Sequence, residues 1–191
     1  AEWLLGRLAA KEALRELLIT HYGQELAPAD IELLPAADGQ PRVAGAWLDQ
    51  LPEPPRVSIA HRAGRAVALA GCGLQAVGIA LEPRGGATDA GGAVPFTPAE
   101  RALLDERAHA GKEWPLRGGA AKVAAGQAVG DGLGSTTHEV RLTAIHAEDE
   151  LVSVTSSAGP AGGATLAPMT VRTLVDGDWV VAMAIIPANV Q

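Results

Sequence analysis

The sequence predicts an α+β fold of two pseudo-symmetric halves, residues 1–76 and 77–191, each a long helix packed on a small antiparallel sheet. Three observations predict it. Trp3 laid on Trp114 brings WLLGRLAAKEALR onto WPLRGGAAKVAAG without a gap, with six of thirteen positions identical. Further on, Arg65 to Ala70 falls on Trp179 to Ala184, so the order of elements repeats with the helix. The separation is too wide for a solenoid and suits two copies of one unit. The final third reads almost wholly as strand. Halves of this size are short of core alone and should pack on each other as one domain, with any site between them.

The elements follow in order. Residues 2–19 are rich in strong helix formers, with Leu4, Leu5, Leu8, Ala9, Leu14, Leu17 and Leu18 giving a mostly apolar face. Arg7, Lys11 and Arg15 recur every four residues as a basic stripe. That stripe suits phosphate contacts or a solvated face paired with Glu12 and Glu16, and pattern alone favours the second. Ile31 to Leu34 and Arg42 to Val43 flank Asp38-Gly39 as a hairpin, and Gly45 to Pro55 reads as a connector. Val57 to His61, Ala66 to Ala70 and Gln75 to Leu81 read as strands. His61, ending an apolar strand, reads on pattern as a hydrogen-bonded structural residue. The Gly-rich stretch Pro83 to Pro95 is expected to be mobile.

Thr97, Pro98 and Glu100 form the signature of a capping box, opening a helix to about His109. A second helix spans Pro115 to Val129 and stops at Gly130. Gly118, Gly119 and Gly126 weaken it, so packing of its Ala-rich face must hold it. Strands follow at Glu139 to Ile145, Leu151 to Thr155, Thr170 to Val175 and Trp179 to Ile186, the last two joined by a turn at Asp176-Gly177-Asp178.

Composition excludes several classes. Apolar residues are 48% and aromatics 3%, so Ala, Val, Leu and Ile must fill the interior. A net charge of −7 argues against nucleic acid as a partner, because phosphate neutralisation needs clustered Lys and Arg. Cys72 is the single cysteine, which excludes an internal disulfide and reads as a small buried hydrophobe. Val67 to Leu81 is too short and too Gly-punctuated for a membrane span, and charges interrupt the start where a signal peptide would be apolar. The expected location is cytoplasmic. The chain opens on Ala in helical pattern at once, and so reads as a domain cut from a longer polypeptide.

Four segments in order, VSIAHRAGRAVALA (57–70), VGIALE (77–82), FTPAE (96–100) and WPLRGGAAKVAAGQAVGDGL (114–133), carry a family resemblance across nearly the whole chain. The chain resembles the 4'-phosphopantetheinyl transferase superfamily, whose patterns are SxSH, GxDxE and AAKEAxxKAxGxG. GRLAAKEALREL is similar to the helix of the small holo-acyl-carrier-protein synthases. Two such units resemble the larger pseudo-dimeric class, and the opening resembles transferase-like domains at the ends of large polyketide synthases. The resemblance implies the corresponding fold. It also implies transfer of the phosphopantetheine arm of coenzyme A to a carrier-protein serine, with Mg²⁺ held by carboxylates, a base for the serine proton and cations for the phosphates.

By the same resemblance Ser58, His61, Lys122 and Arg7 are cofactor-binding positions for CoA, and Glu82 is a metal ligand. The other carboxylate of GxDxE falls on Ala80, the Glu of AAKEA on Val123 and the following Lys on Gln127. The second Ser of SxSH is Ala60, and a Lys usual before Pro is Gln40. Glu12 of the first copy reads as a surface residue. Each lost acid-base or charge-stabilising group costs roughly 10²- to 10⁴-fold in rate, and three are lost from one centre. The expectation is therefore no catalytic residue and an inactive domain, structural or carrier-protein-docking, with an acyl carrier protein or neighbouring synthase domains as partners and no membrane or nucleic acid. One alternative is an active, Mg²⁺-dependent synthase using CoA, with Asp89 or Asp131 supplying carboxylates. Another is metal-independent binding of CoA through His61, Lys122 and Arg7.

Overall fold

Among the described residues the longest helix, α1 (Glu2–Tyr22), covers the expected stretch 2–19 and runs three residues beyond it. It stops at Gly23, whose φ of +62° is left-handed, with Gly23 and Gln24 N–H groups donating to the Ile19 and Leu18 carbonyls. The computed structural model describes residues 2–35, 40–85, 94–107, 111, 113–130, 139–156 and 168–188. The strands are β1 (Glu32–Pro35), β2 (Pro41–Ala44), β3 (Arg56–Arg62), β4 (Arg65–Gly71) and β5 (Leu74–Pro83), then β6 (Val140–His146), β7 (Leu151–Ser156), β8 (Met169–Asp176) and β9 (Trp179–Pro187). Between β5 and β6 come α2 (Pro98–Glu106) and α3 (Trp114–Val129). The fold is α+β, and every strand pairing among the described residues is antiparallel.

The two halves are built unequally. In the first, β1–β2 and β3–β4 are separate two-stranded ribbons, and α1 packs on β3 and β4. In the second, α3 covers one face of a five-stranded sheet of order β5-β9-β8-β7-β6. The continuous apolar run of β5 does not say which edge it joins, and β5 leaves β4 to pair with β9, Gly78 opposite Ala184 and Ala80 opposite Ala182. The strands whose sequences match, β4 and β9, are both second strands of a hairpin covered by a long helix.

Among the described residues two clusters make the core. Around α1 it comprises Ala10, Leu14, Leu18, Ile31, Leu33, Val43, Trp47 and Val57. The segment 45–55 does more than connect: Trp47, in a short 3-10 helix, fills this cluster and its Nε1 donates to the Asp30 carbonyl at 3.1 Å. The buried stripe of α1 is Gly6, Ala10, Leu14 and Leu18, whereas Trp3, Leu4 and Leu8 are exposed. Small residues set the start of that face. A Cβ at Gly6 would stand 2.8 Å from Ile59 Cγ2, so the first turns of the helix settle on β3 through Gly6 and Ala10, and Leu14 and Leu18 fill the core further along.

Around α3 the core is mostly Ala and Val. The weak intrinsic helix propensity of α3 is offset by burial of Gly118, Gly119 and Gly126 with the alanines, and the helix ends at Gly130 with φ +92°. The capping box forms as the spacing requires: Thr97 N–H donates to Glu100 Oε2 at 2.6 Å, and Glu100 N–H to Thr97 Oγ1 at 3.3 Å. No helix among the described residues is long and apolar enough to cross a membrane. Cys72 is half-buried in the β4–β5 turn, not enclosed. The Asp38-Gly39 turn, the stretch 86–93 and His109 lie outside the described residues.

The α3–β5 contact is the tightest. A Cβ on Gly78 would overlap the Ala124 carbonyl oxygen and stand 2.7 Å from Ala128 N. Helix backbone cannot turn aside as a flexible side chain can. Gly78→Ala should lower stability by about 1–3 kcal/mol or more, read by chemical denaturation. Gly64→Ala, open in space but at φ +79°, should act only through backbone strain.

Candidate functional site

Successive side chains of a strand point to opposite faces, and β3 uses this to divide its polar residues. Val57, Ile59 and His61 share the face toward α1, while Ser58, Ala60 and Arg62 share the other. On that second face the two halves meet through hydrogen bonds. Ser58 Oγ donates to Gln127 Oε1 at 2.8 Å and accepts from Ile79 N–H at 3.2 Å. Ile79 N–H also reaches Gln127 Oε1 at 3.3 Å, and Gln40 Nε2 donates to the Gln127 carbonyl. Ile79 lies on the edge of β5 away from β9, where a buried amide without a partner would be costly. Ser58 and Gln127 satisfy it.

Further along the same face Arg62 meets Glu82. Its Nη1 donates to Oε1 at 2.8 Å and lies 2.6 Å from Oε2, the second contact being ionic without hydrogen-bond direction. Burial pushes the Glu82 carboxyl above its usual range, and the Arg62 guanidinium offsets this only in part. Ala80, two residues before Glu82 on β5, is buried in the core cluster, and Val123 of α3 packs against that cluster. Ala80 of β5 and Val123 of α3 thus lie in and against one core cluster, and Glu82 follows two residues after Ala80 along β5.

Lys122 lies elsewhere. It is 0% exposed, and its Nζ donates to Glu100 Oε1 at 2.9 Å and to the Pro95 carbonyl at 3.0 Å, above the Phe96 ring. Glu100, also buried, accepts from Leu142 N–H at 3.0 Å through the same oxygen and from Thr97 through the other. Burial alone would raise the Glu100 carboxyl; donation from Thr97, Leu142 and Lys122 outweighs it and holds the group below its usual range. One carboxylate thus caps α2 and ties it to α3 and β6. A phosphate could meet Lys122 only by displacing this pair.

The remaining site residues are on the α1 side. His61 Nδ1 stands 3.5 Å from Glu2 Oε2, and Glu2 also accepts from Gly64 N–H at 2.7 Å. Donation from Gly64 chiefly holds the Glu2 carboxyl below its usual range. Arg7 stacks on Trp3 and donates to the Leu33 carbonyl. Lys11 donates to the Pro28 carbonyl at 2.6 Å and Arg15 to the Leu26 carbonyl at 2.7 Å. The basic stripe, read as solvated, is a row of staples: its donors climb the helix while their acceptors descend the segment 33–26. Only the Arg15–Glu12 pair at 2.8 Å matches the surface reading.

Ser58 and Gln127 are thus brought together. Glu82, Lys122, His61 and Arg7 have separate partners, and Asp89 and Asp131 lie outside the described residues. Sequence reasoning did not single out Arg62 or the second role of Glu100. A lysine among alanines on a buried helix face is a signal that a carboxylate must meet it. Arg62, beside a turn, carries no such signal. The chain matches no protein-family model and no curated protein.

Glu100→Ala would leave a buried ammonium unpaired and should cost about 3–5 kcal/mol, measured by denaturant titration. Because the folded pKa of Glu100 is depressed, its contribution is full above about pH 4.5 and lost as pH falls through the lower folded value. Glu100→Gln should therefore flatten the acid limb of the Tm-versus-pH curve.

Proposed function

We propose that the chain is a phosphopantetheinyl-transferase-like domain of the pseudo-dimeric kind that has lost catalysis and serves as a structural or carrier-protein-docking element of a polyketide synthase. The observation that carries this reading is the chemistry of the positions where the resemblance implies acids and a lysine. Ala80 and Val123 are hydrocarbon packed in and against the core, and the amide of Gln127 is bonded to Ser58 and Ile79. Two helix-on-hairpin units, α1 on β3–β4 and α3 on β8–β9, support the kinship.

Mg²⁺ does not fit this donor set. It demands near-ideal octahedral oxygen coordination, and the side chains of Ala80 and Val123 offer none. Glu82 alone would have to leave Arg62 to serve it. Phosphate recognition is supported no better, since Lys122 is enclosed with Glu100 and Arg7 is bonded to the Leu33 carbonyl. With three groups absent from one centre, even strongly non-additive losses leave negligible transfer.

The test is modification of a panel of apo carrier proteins by the purified chain with CoA and Mg²⁺, read by the mass gain of the phosphopantetheine arm. No modification above the uncatalysed background is expected. Transfer at the rate of a working transferase run alongside would overturn the reading and favour an active synthase with relocated carboxylates. Tight CoA binding that survives chelator but weakens with salt would instead favour a metal-independent CoA binder.

A further inference from the structure

The face of β3 that meets the second half carries two polar links four residues apart, with Ala60 between them. At one end Ser58 and Gln127 are neutral and share the Ile79 N–H. At the other, Arg62 is the ion-pair partner of Glu82, whose side chain is only 15% exposed. A half-buried carboxylate needs a cation. It finds one within the chain, twenty residues away along the sequence, on the strand facing it.

We propose that the Arg62 guanidinium is a built-in replacement for a metal ion at Glu82, so that this seam acts as a latch between the halves and is closed to divalent cations. The proposal rests on the functional reading above only for identifying Glu82 with a metal position. Several features fit it. The guanidinium is always charged, so the latch does not depend on cation supply. It reaches Glu82 from β3, in the first half, and therefore joins the halves, whereas a metal bound by β5 and α3 alone would not. The Gln40, Ser58 and Gln127 contacts lie on the same seam and add directional bonds without charge. With Ala80 and Val123 apolar, a guanidinium needs only the single carboxylate that remains, where Mg²⁺ would need several oxygens.

The test uses the full chain. Amide hydrogen exchange is measured for the wild type, Arg62→Gln, Arg62→Lys and Glu82→Gln, and Mn²⁺ is the paramagnetic probe of the Ala80–Glu82 amides. In the wild type millimolar Mn²⁺ should leave these amides unbroadened. Arg62→Gln and Glu82→Gln should speed exchange at Ile79 and along β3 roughly 5- to 30-fold, with β6 and β7 unchanged and Mg²⁺ unable to restore protection. Arg62→Lys should recover part of it. Site-specific Mn²⁺ broadening in the wild type, or wild-type protection in both charge-removing variants, would overturn the proposal. Either result with no carrier-protein modification would sink the latch and leave the functional reading standing, whereas modification would sink that reading on its own.

Discussion

The constraint on which the rest depends is how closely α3 lies on β5. Gly78 faces the Ala124 carbonyl with no room for a methyl group, and the alanines of α3 continue that contact along the strand. Such an approach admits only small side chains between helix and sheet, and it buries every polar group that the helix carries inward. Lys122 must therefore bring a counter-ion with it, and Glu100 serves. Gln127, nearer the helix end, reaches past the sheet edge to Ser58 and Ile79. Packing closeness and polar placement are one fact seen at two positions.

The first half solves the same problem with different chemistry. Gly6 lets α1 settle on β3, and the segment 26–33 turns the Leu26, Pro28 and Leu33 carbonyls toward the helix. Arg7, Lys11 and Arg15 donate to them in register. In a chain with only 15 basic residues, three are committed to main-chain oxygens on one helix, which leaves them poorly placed to gather phosphates. Arg117 is similarly enclosed, bonded to Thr173 and Glu150.

What could be read from the sequence was local. The capping box at Thr97, the stop at Gly130 and the hairpin across Ala63-Gly64 depend on neighbours a few residues apart, and they stand where the residue types put them. The buried stripe of α1 was legible in part: Leu14 and Leu18 are buried as the apolar pattern expects, whereas Leu4 and Leu8 are exposed and the small Gly6 and Ala10 take the contact at that end. The edge that β5 joins, the Arg62–Glu82 pair and the second oxygen of Glu100 were not readable at all. Each depends on chain segments far apart in sequence meeting in space. The residue types Ala80, Val123 and Gln127 were legible and singled out by resemblance, but not the core packing of the first two or the bond of the third to Ser58.

Ala80 and Val123 are aliphatic packing, and Ser58 and Gln127 form a hydrogen-bonded seam, at the positions where the proposed kinship calls for acids and a cation. The most direct measurement is a double-mutant cycle on Ser58→Ala and Gln127→Ala by equilibrium denaturation. A coupling of about 0.5–1.5 kcal/mol is predicted if their bond joins the halves. Coupling indistinguishable from zero would mean that the two side chains are not partners holding the seam, and would contradict the account.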